Sequence, residues 1–136
     1  KNENKLQLLS TQTYKRFMKI INTSRNELIK KLNIFKKQGK KIHCYGASTK
    51  GNVLLQYYGI DNRIIQYAAE RNQSKYNLYT PGTKIKIVSE QFSRSLMPDY
   101  YLVLPWHFKK EILIRESKIR KKGVKFIFPL PKLKII

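Results

Sequence analysis

The chain has 136 residues, within the roughly 100–200 expected of one domain. It carries 29 Lys+Arg against 8 Asp+Glu, a formal charge of +21, and 41% of its residues are hydrophobic, enough for one core. No apolar run approaches the ~20 residues of a membrane-spanning helix, the polar, charged opening is unlike a secretory signal, and a lone Cys44 excludes an internal disulfide.

Residues 1–12 are polar and read as a linker or loosely held tail, with the folded domain expected over 13–136. From Thr13 to Gln38 the apolar residues Tyr14, Phe17, Met18, Ile21, Leu28, Leu32 and Phe35 recur at helical spacing. Ser24 followed by Glu27 has the form of a capping box, so the segment is either one long helix with a kink or two in succession, stopping at Gly39. The period then changes. Strands are expected at Lys41–Tyr45, Ile64–Ala69, Ile85–Val88, Tyr100–Leu104 and Val124–Phe128; helices at Thr49–Tyr58, Ser89–Leu96 and Phe108–Lys122.

Strands alternating with helices predict an α/β fold with a mostly parallel sheet and helices on both faces. The right-handed crossover rule makes a Rossmann-like, doubly wound, five-stranded layout the natural solution, here in the order 3-2-1-4-5, preceded by an N-terminal helix. Ligands of such sheets sit beyond the carboxyl ends of the strands, where the order reverses. That directs attention to the loops after Tyr45, Ala69, Val88 and Leu104.

The first of these is Gly46-Ala47-Ser48-Thr49-Lys50-Gly51-Asn52. Gly46 permits a tight turn, Ser48 and Thr49 can cap the following helix, and free amides at its start, with Lys50 beside them, would suit a phosphate or another anion. Asn52 stands where a P-loop has its lysine, and Ser48 where a dinucleotide motif has its second glycine; an ordinary strand-to-helix turn remains the alternative. Glu70 lies 24 residues after Gly46, close to the position of a ribose-binding acid, with Arg71 beside it for a phosphate. The pair reads equally well as a surface ion pair. Tyr79-Thr80-Pro81-Gly82-Thr83 combines a turn with two hydroxyls. Trp106-His107, at the end of a strand, offers a wall for a base or sugar, although His107 would also serve as a helix N-cap. His43 and Cys44, inside a strand, read as core.

No catalytic triad or carboxylate pair stands out, and His107 is the one conceivable acid–base group. One Cys and two His fall short of the four ligands of a structural zinc site, so no metal is expected. The unpaired cysteine fits a reducing, cytoplasmic setting. The basic residues are spread over the chain rather than clustered. They favour anionic small ligands over nucleic acid as the principal partner, with a basic nucleic-acid-binding module, supported by nine Tyr, six Phe and one Trp, as the alternative.

Three segments carry a family resemblance: YGASTKGNVLLQYYGI (45–60), YAAERNQSKYNLYTPGTKI (67–85) and PDYYLVLPWHF (98–108), with FIFPLP (126–131) closing. Together they resemble the C-terminal domain of S-adenosylmethionine-dependent sugar C-methyltransferases, over about Tyr14 to Lys132. The resemblance implies a three-domain enzyme. A zinc-binding domain and a central domain holding S-adenosylmethionine would precede this one, and the present domain would grip a nucleotide-linked keto-deoxysugar. Gly46 to Asn52, Glu70, Arg71, Tyr79 to Thr83, Trp106 and His107 would face that substrate. The family's general base lies in an upstream His/Glu motif that nothing here matches, nor is its four-cysteine pattern present. Catalysis is therefore expected from the adjacent domain, and an opening Lys1 is compatible with an excised segment.

Overall fold

A computed structural model describes residues 2–136, with side chains from Ser10 onward. The first element, α1, runs uninterrupted from Asn2 to Lys37. The stretch expected as a tail is thus helical from Asn2, and Ser24–Glu27 opens no second helix. Thr23 turns its hydroxyl back onto the Lys19 carbonyl at 2.9 Å, and Ser24 is buried on the packing face. Ile21, Leu28, Leu32 and Phe35 face the sheet, and Phe35 stacks on Tyr100 with ring centroids 4.0 Å apart. Further back the stripe is open: Tyr14, Phe17 and Ile20 are all more than half exposed. Gly39, at φ 75°, takes the left-handed conformation that ends the helix.

The next elements are β1 (Ile42–Tyr45), α2 (Thr49–Tyr58), β2 (Tyr67–Glu70), β3 (Lys86–Ser89), α3 (Glu90–Ser95) and β4 (Tyr100–Val103). Then come α4 (Lys109–Arg115), α5 (Ser117–Lys121), β5 (Lys125–Phe128) and β6 (Lys134–Ile135). The sheet order is β3-β2-β1-β4-β5-β6, the first five strands parallel and β6 antiparallel to β5. The expected order of the first five holds, but the five-stranded sheet is corrected to six. After Pro129 and Pro131 the chain doubles back, Ile135 opposite Ile127 and Lys134 opposite Phe128. Two residues between a proline turn and the end of the sequence are too few to show a strand's alternation.

Alternating residues of β1 enter different layers, as in a strand covered on both faces. Cys44 packs with Leu28, Leu32, Leu55 and Leu102 under α1 and α2. Tyr45 packs with Tyr101, Ile112 and Phe126 on the other face, under α4. His43 and Cys44 are fully buried, as expected of core residues. His43 Nδ1 lies 2.7 Å from Ser93 Oγ, which in turn meets the Tyr101 hydroxyl at 2.7 Å.

Two boundaries differ from expectation. Ile64 and Ile65 belong to a turn closed onto the Asp61 carbonyl, and Ile65 is buried there, so the apolar pair feeds the core without joining the strand. The helix expected at Phe108–Lys122 is interrupted at Glu116, the residue whose carboxylate turns inward beneath the mouth of the sheet.

Candidate functional site

At the carboxyl ends of β1, β2 and β4, where the strand order reverses, lies a cleft of about 380 Å³. Its back is the turn after β1. Gly46 has φ 86°, and a Cβ there would come 3.1 Å from the Pro105 side chain, so both the dihedral and the space call for glycine. Gly46 N–H donates to the Ala69 carbonyl at 2.7 Å, stitching the turn to β2. Ser48 caps α2, its hydroxyl accepting from Gly51 N–H at 3.1 Å. Gly51 answers a different need: a Cβ there would sit 2.5 Å from Leu104 Cβ, so glycine lets α2 lie close on the chain just after β4.

Glu70 organises the turn. One carboxylate oxygen accepts from Ala47 N–H at 2.9 Å, the other from Arg71 N–H at 2.9 Å and Asn72 N–H at 3.2 Å. Lys75 reaches across and donates to the Ala47 carbonyl at 3.2 Å. The amides of Gly46 and Ala47, expected to be free for an anion, are therefore engaged within the protein. Glu70 and Arg71 do not pair with each other. Arg71 instead lies 3.6 Å from Glu90.

The floor is a network of ion pairs. Glu116, 4% exposed, accepts from the Tyr45 hydroxyl (2.8 Å), Arg94 (2.8 Å) and Arg115 (3.2 Å). Glu90 takes Arg115 at 2.6 Å and lies 3.5 Å from Arg94. Burial, reinforced by the Glu116 carboxylate, pushes the Tyr45 phenol well above its ordinary range, so it stays a neutral donor. Three carboxylates (Glu70, Glu90, Glu111) and three cations (Arg71, Lys75, Arg115) line the opening. In a chain of net charge +21 this is a locally balanced surface.

Of the residues singled out in the sequence, Gly46, Ala47, Ser48, Glu70 and Arg71 meet in the cleft. Lys50 faces a neighbouring apolar groove between α1 and α2, shared with Val53, Tyr57 and Trp106. Thr49 is exposed and Gly51 is buried against Leu104; Asn52 belongs to α2, its N–H donating to the Ser48 carbonyl. The Tyr79–Thr83 loop is not brought to the mouth, because it precedes β3 and closes the opposite end of the sheet. Thr80 and Thr83 are buried with their hydroxyls on each other, and Gln56, near the end of α2, donates to the Pro81 carbonyl. Trp106 and His107 form a 3-10 turn capped by Pro105, without a side-chain cap, and line a second cavity beside α4. Sequence reasoning missed Lys75, Glu90 and Arg115. Glu90 follows the end of β3, where the fold rule points; the other two come from a 3-10 turn and a helix that no linear pattern connects to the cleft.

Fold and cleft together define an α/β domain with charged side chains around the mouth of its sheet. The chain matches the C-methyltransferase C-terminal domain family over residues 1–131 and belongs to it. It is also 35% identical, over 98 residues, to the C-methyltransferase NovU of Streptomyces niveus; the match takes in 72% of this chain and 23% of that relative. The chain therefore spans about a quarter of the length of the curated relative it matches. Among the described residues no helix is long and apolar enough to cross a membrane.

Proposed function

We propose that this domain binds a nucleotide-linked keto-deoxysugar in the cleft at the carboxyl ends of the strands and holds it for C-methylation by an adjacent methyltransferase domain. The balanced opening carries the reading. Glu111 offers acceptors to sugar hydroxyls, Arg71 and Lys75 offer donors, and the presence of both signs suits a polyhydroxylated ligand better than a polyanion. Methylating a carbon next to a ketone requires loss of a weakly acidic proton and alignment with the methyl donor. Fixing the sugar's orientation can lower such a barrier by up to about 7–11 kcal/mol.

S-adenosylmethionine, the family's methyl donor, does not fit this cleft. Glu70, at the position where a ribose diol would seek a carboxylate, already accepts three backbone N–H groups, out of about four lone-pair sites. The donor belongs on the adjacent domain.

Calorimetric titration of a nucleotide-linked keto-deoxysugar into the full chain tests the reading. An Arg71→Ala/Lys75→Ala variant is expected to bind about tenfold more weakly or worse, from the loss of charge-assisted contacts. Unchanged affinity would exclude the cleft. A ligand-independent affinity for oligonucleotides that falls steeply with salt would favour the nucleic-acid alternative.

A further inference from the structure

We propose that the lysine-lined cavity beside α4 is a diphosphate-binding site. It has a volume of about 530 Å³ and adjoins the cleft at Glu111. Three separate segments converge there: the start of α4 brings Lys109 and Lys110, the loop after β5 brings Lys132, and β6 brings Lys134. Trp106 and His107 form part of the wall.

The convergence is imposed by the fold. Pairing of β6 with β5 sets Lys134 opposite Phe128, and Lys109 Nζ lies 5.6 Å from the centroid of the same ring. Both side chains thereby line the same cavity. Partial desolvation and the like charge of Lys134 hold the Lys109 amine below its ordinary range. Lys15 and Lys19, by contrast, stand exposed on α1, where solvent screens them. Among the described residues none of the four has an ion-pair partner, and Glu111 is the one acid in the lining. An anion with several oxygens relieves the repulsion and offers charge-assisted acceptors to the lysines around the cavity. A diphosphate matches in charge and in its spread of oxygens. This deepens the nucleotide-sugar reading and rests on it only for the identity of the natural ligand: the sugar would lie in the cleft while its diphosphate extends past Glu111 onto the lysines.

Inorganic pyrophosphate, titrated calorimetrically into the full chain at about 150 mM salt, where long-range attraction is screened beyond ~8 Å, is the direct test. One-to-one saturable binding is expected. It should weaken about tenfold or more in Lys109→Ala/Lys134→Ala and stay unchanged in Lys15→Ala/Lys19→Ala, which removes the same charge from α1. No saturable binding, or an equal loss in both double variants, would overturn the site. So would an oligonucleotide whose affinity grows with its length and which displaces pyrophosphate. Pyrophosphate binding that persists while the nucleotide-linked sugar fails to bind would support the lysine site and reject the sugar reading alone.

Discussion

Replacing Glu70 with Gln separates two roles that a carboxylate at the end of β2 can play. In the structure its two oxygens accept three backbone N–H groups, from Ala47, Arg71 and Asn72. A carboxamide has one acceptor oxygen, so either the Ala47 contact or the Arg71–Asn72 pair must go, and an NH2 group then faces an N–H. Hydrogen bonds to a charged group contribute about 1.5–3 kcal/mol. Glu70 is only half-buried, so water compensates in part and the lower end, about 1.5 kcal/mol, is expected. That corresponds to a fall in Tm of about 5 °C for a chain of this size. Urea unfolding measures the loss, and hydrogen exchange should show the Ala47 amide opening more readily while amides in β4 keep their relative protection. A variant with wild-type stability and Ala47 protection but much weaker ligand binding would refute the reasoning and make Glu70 a ligand contact instead of the brace of the turn.

Four further outcomes are expected. Gly51→Ala forces α2 away from Leu104, and overpacking of this kind costs about 1–3 kcal/mol; an unchanged denaturation midpoint would contradict the close approach. Burial, with the Lys41 charge adding to it, lowers the His43 pKa to about 4. The unfolded chain, with a histidine near 6.5, therefore binds the extra proton between those values. Stability is complete above about pH 6.5 and declines towards pH 4 by about 3 kcal/mol; an NMR titration placing His43 near 6.5 would refute this. Cys44 is fully buried and its thiol is pushed well above the usual range, so thiol reagents should modify it only after unfolding. Glu116→Ala leaves the Tyr45 hydroxyl and two arginines without their shared acceptor, an expected loss of about 3 kcal/mol; a double-mutant cycle with Arg94→Ala checks the coupling.

The parts legible in the sequence are those governed by short-range chemistry. Ser48 and Gly59 bracket α2, and the helix runs over Thr49–Tyr58 as their spacing predicts, Gly59 adopting φ 71°. The uncharged run at Tyr100–Leu104 marked a strand covered on both sides, and β4 is that strand. Alternation then sufficed for the order of five parallel strands, since the crossover rule leaves few arrangements. The use of each polar group was not legible. Glu70 stands where a ribose ligand would be sought, yet its oxygens find nearer donors in the turn that faces it, a choice set by three-dimensional placement. β6 was hidden because its partner lies across a proline turn. With it was hidden the reason four lysines, unremarkable in a basic chain, meet in one place.

The length of α1 has a mechanical corollary. From Asn2 to Phe17 the helix rises about 24 Å, and among the residues from Ser10 onward its packing on the sheet takes hold around Ile21. A helical strut of this kind transmits orientation as well as distance. Each residue inserted ahead of Ile21 would advance its N-terminal part by about 1.5 Å and rotate it by about 100°, so that one added alanine should disturb any geometry set through it more than four would.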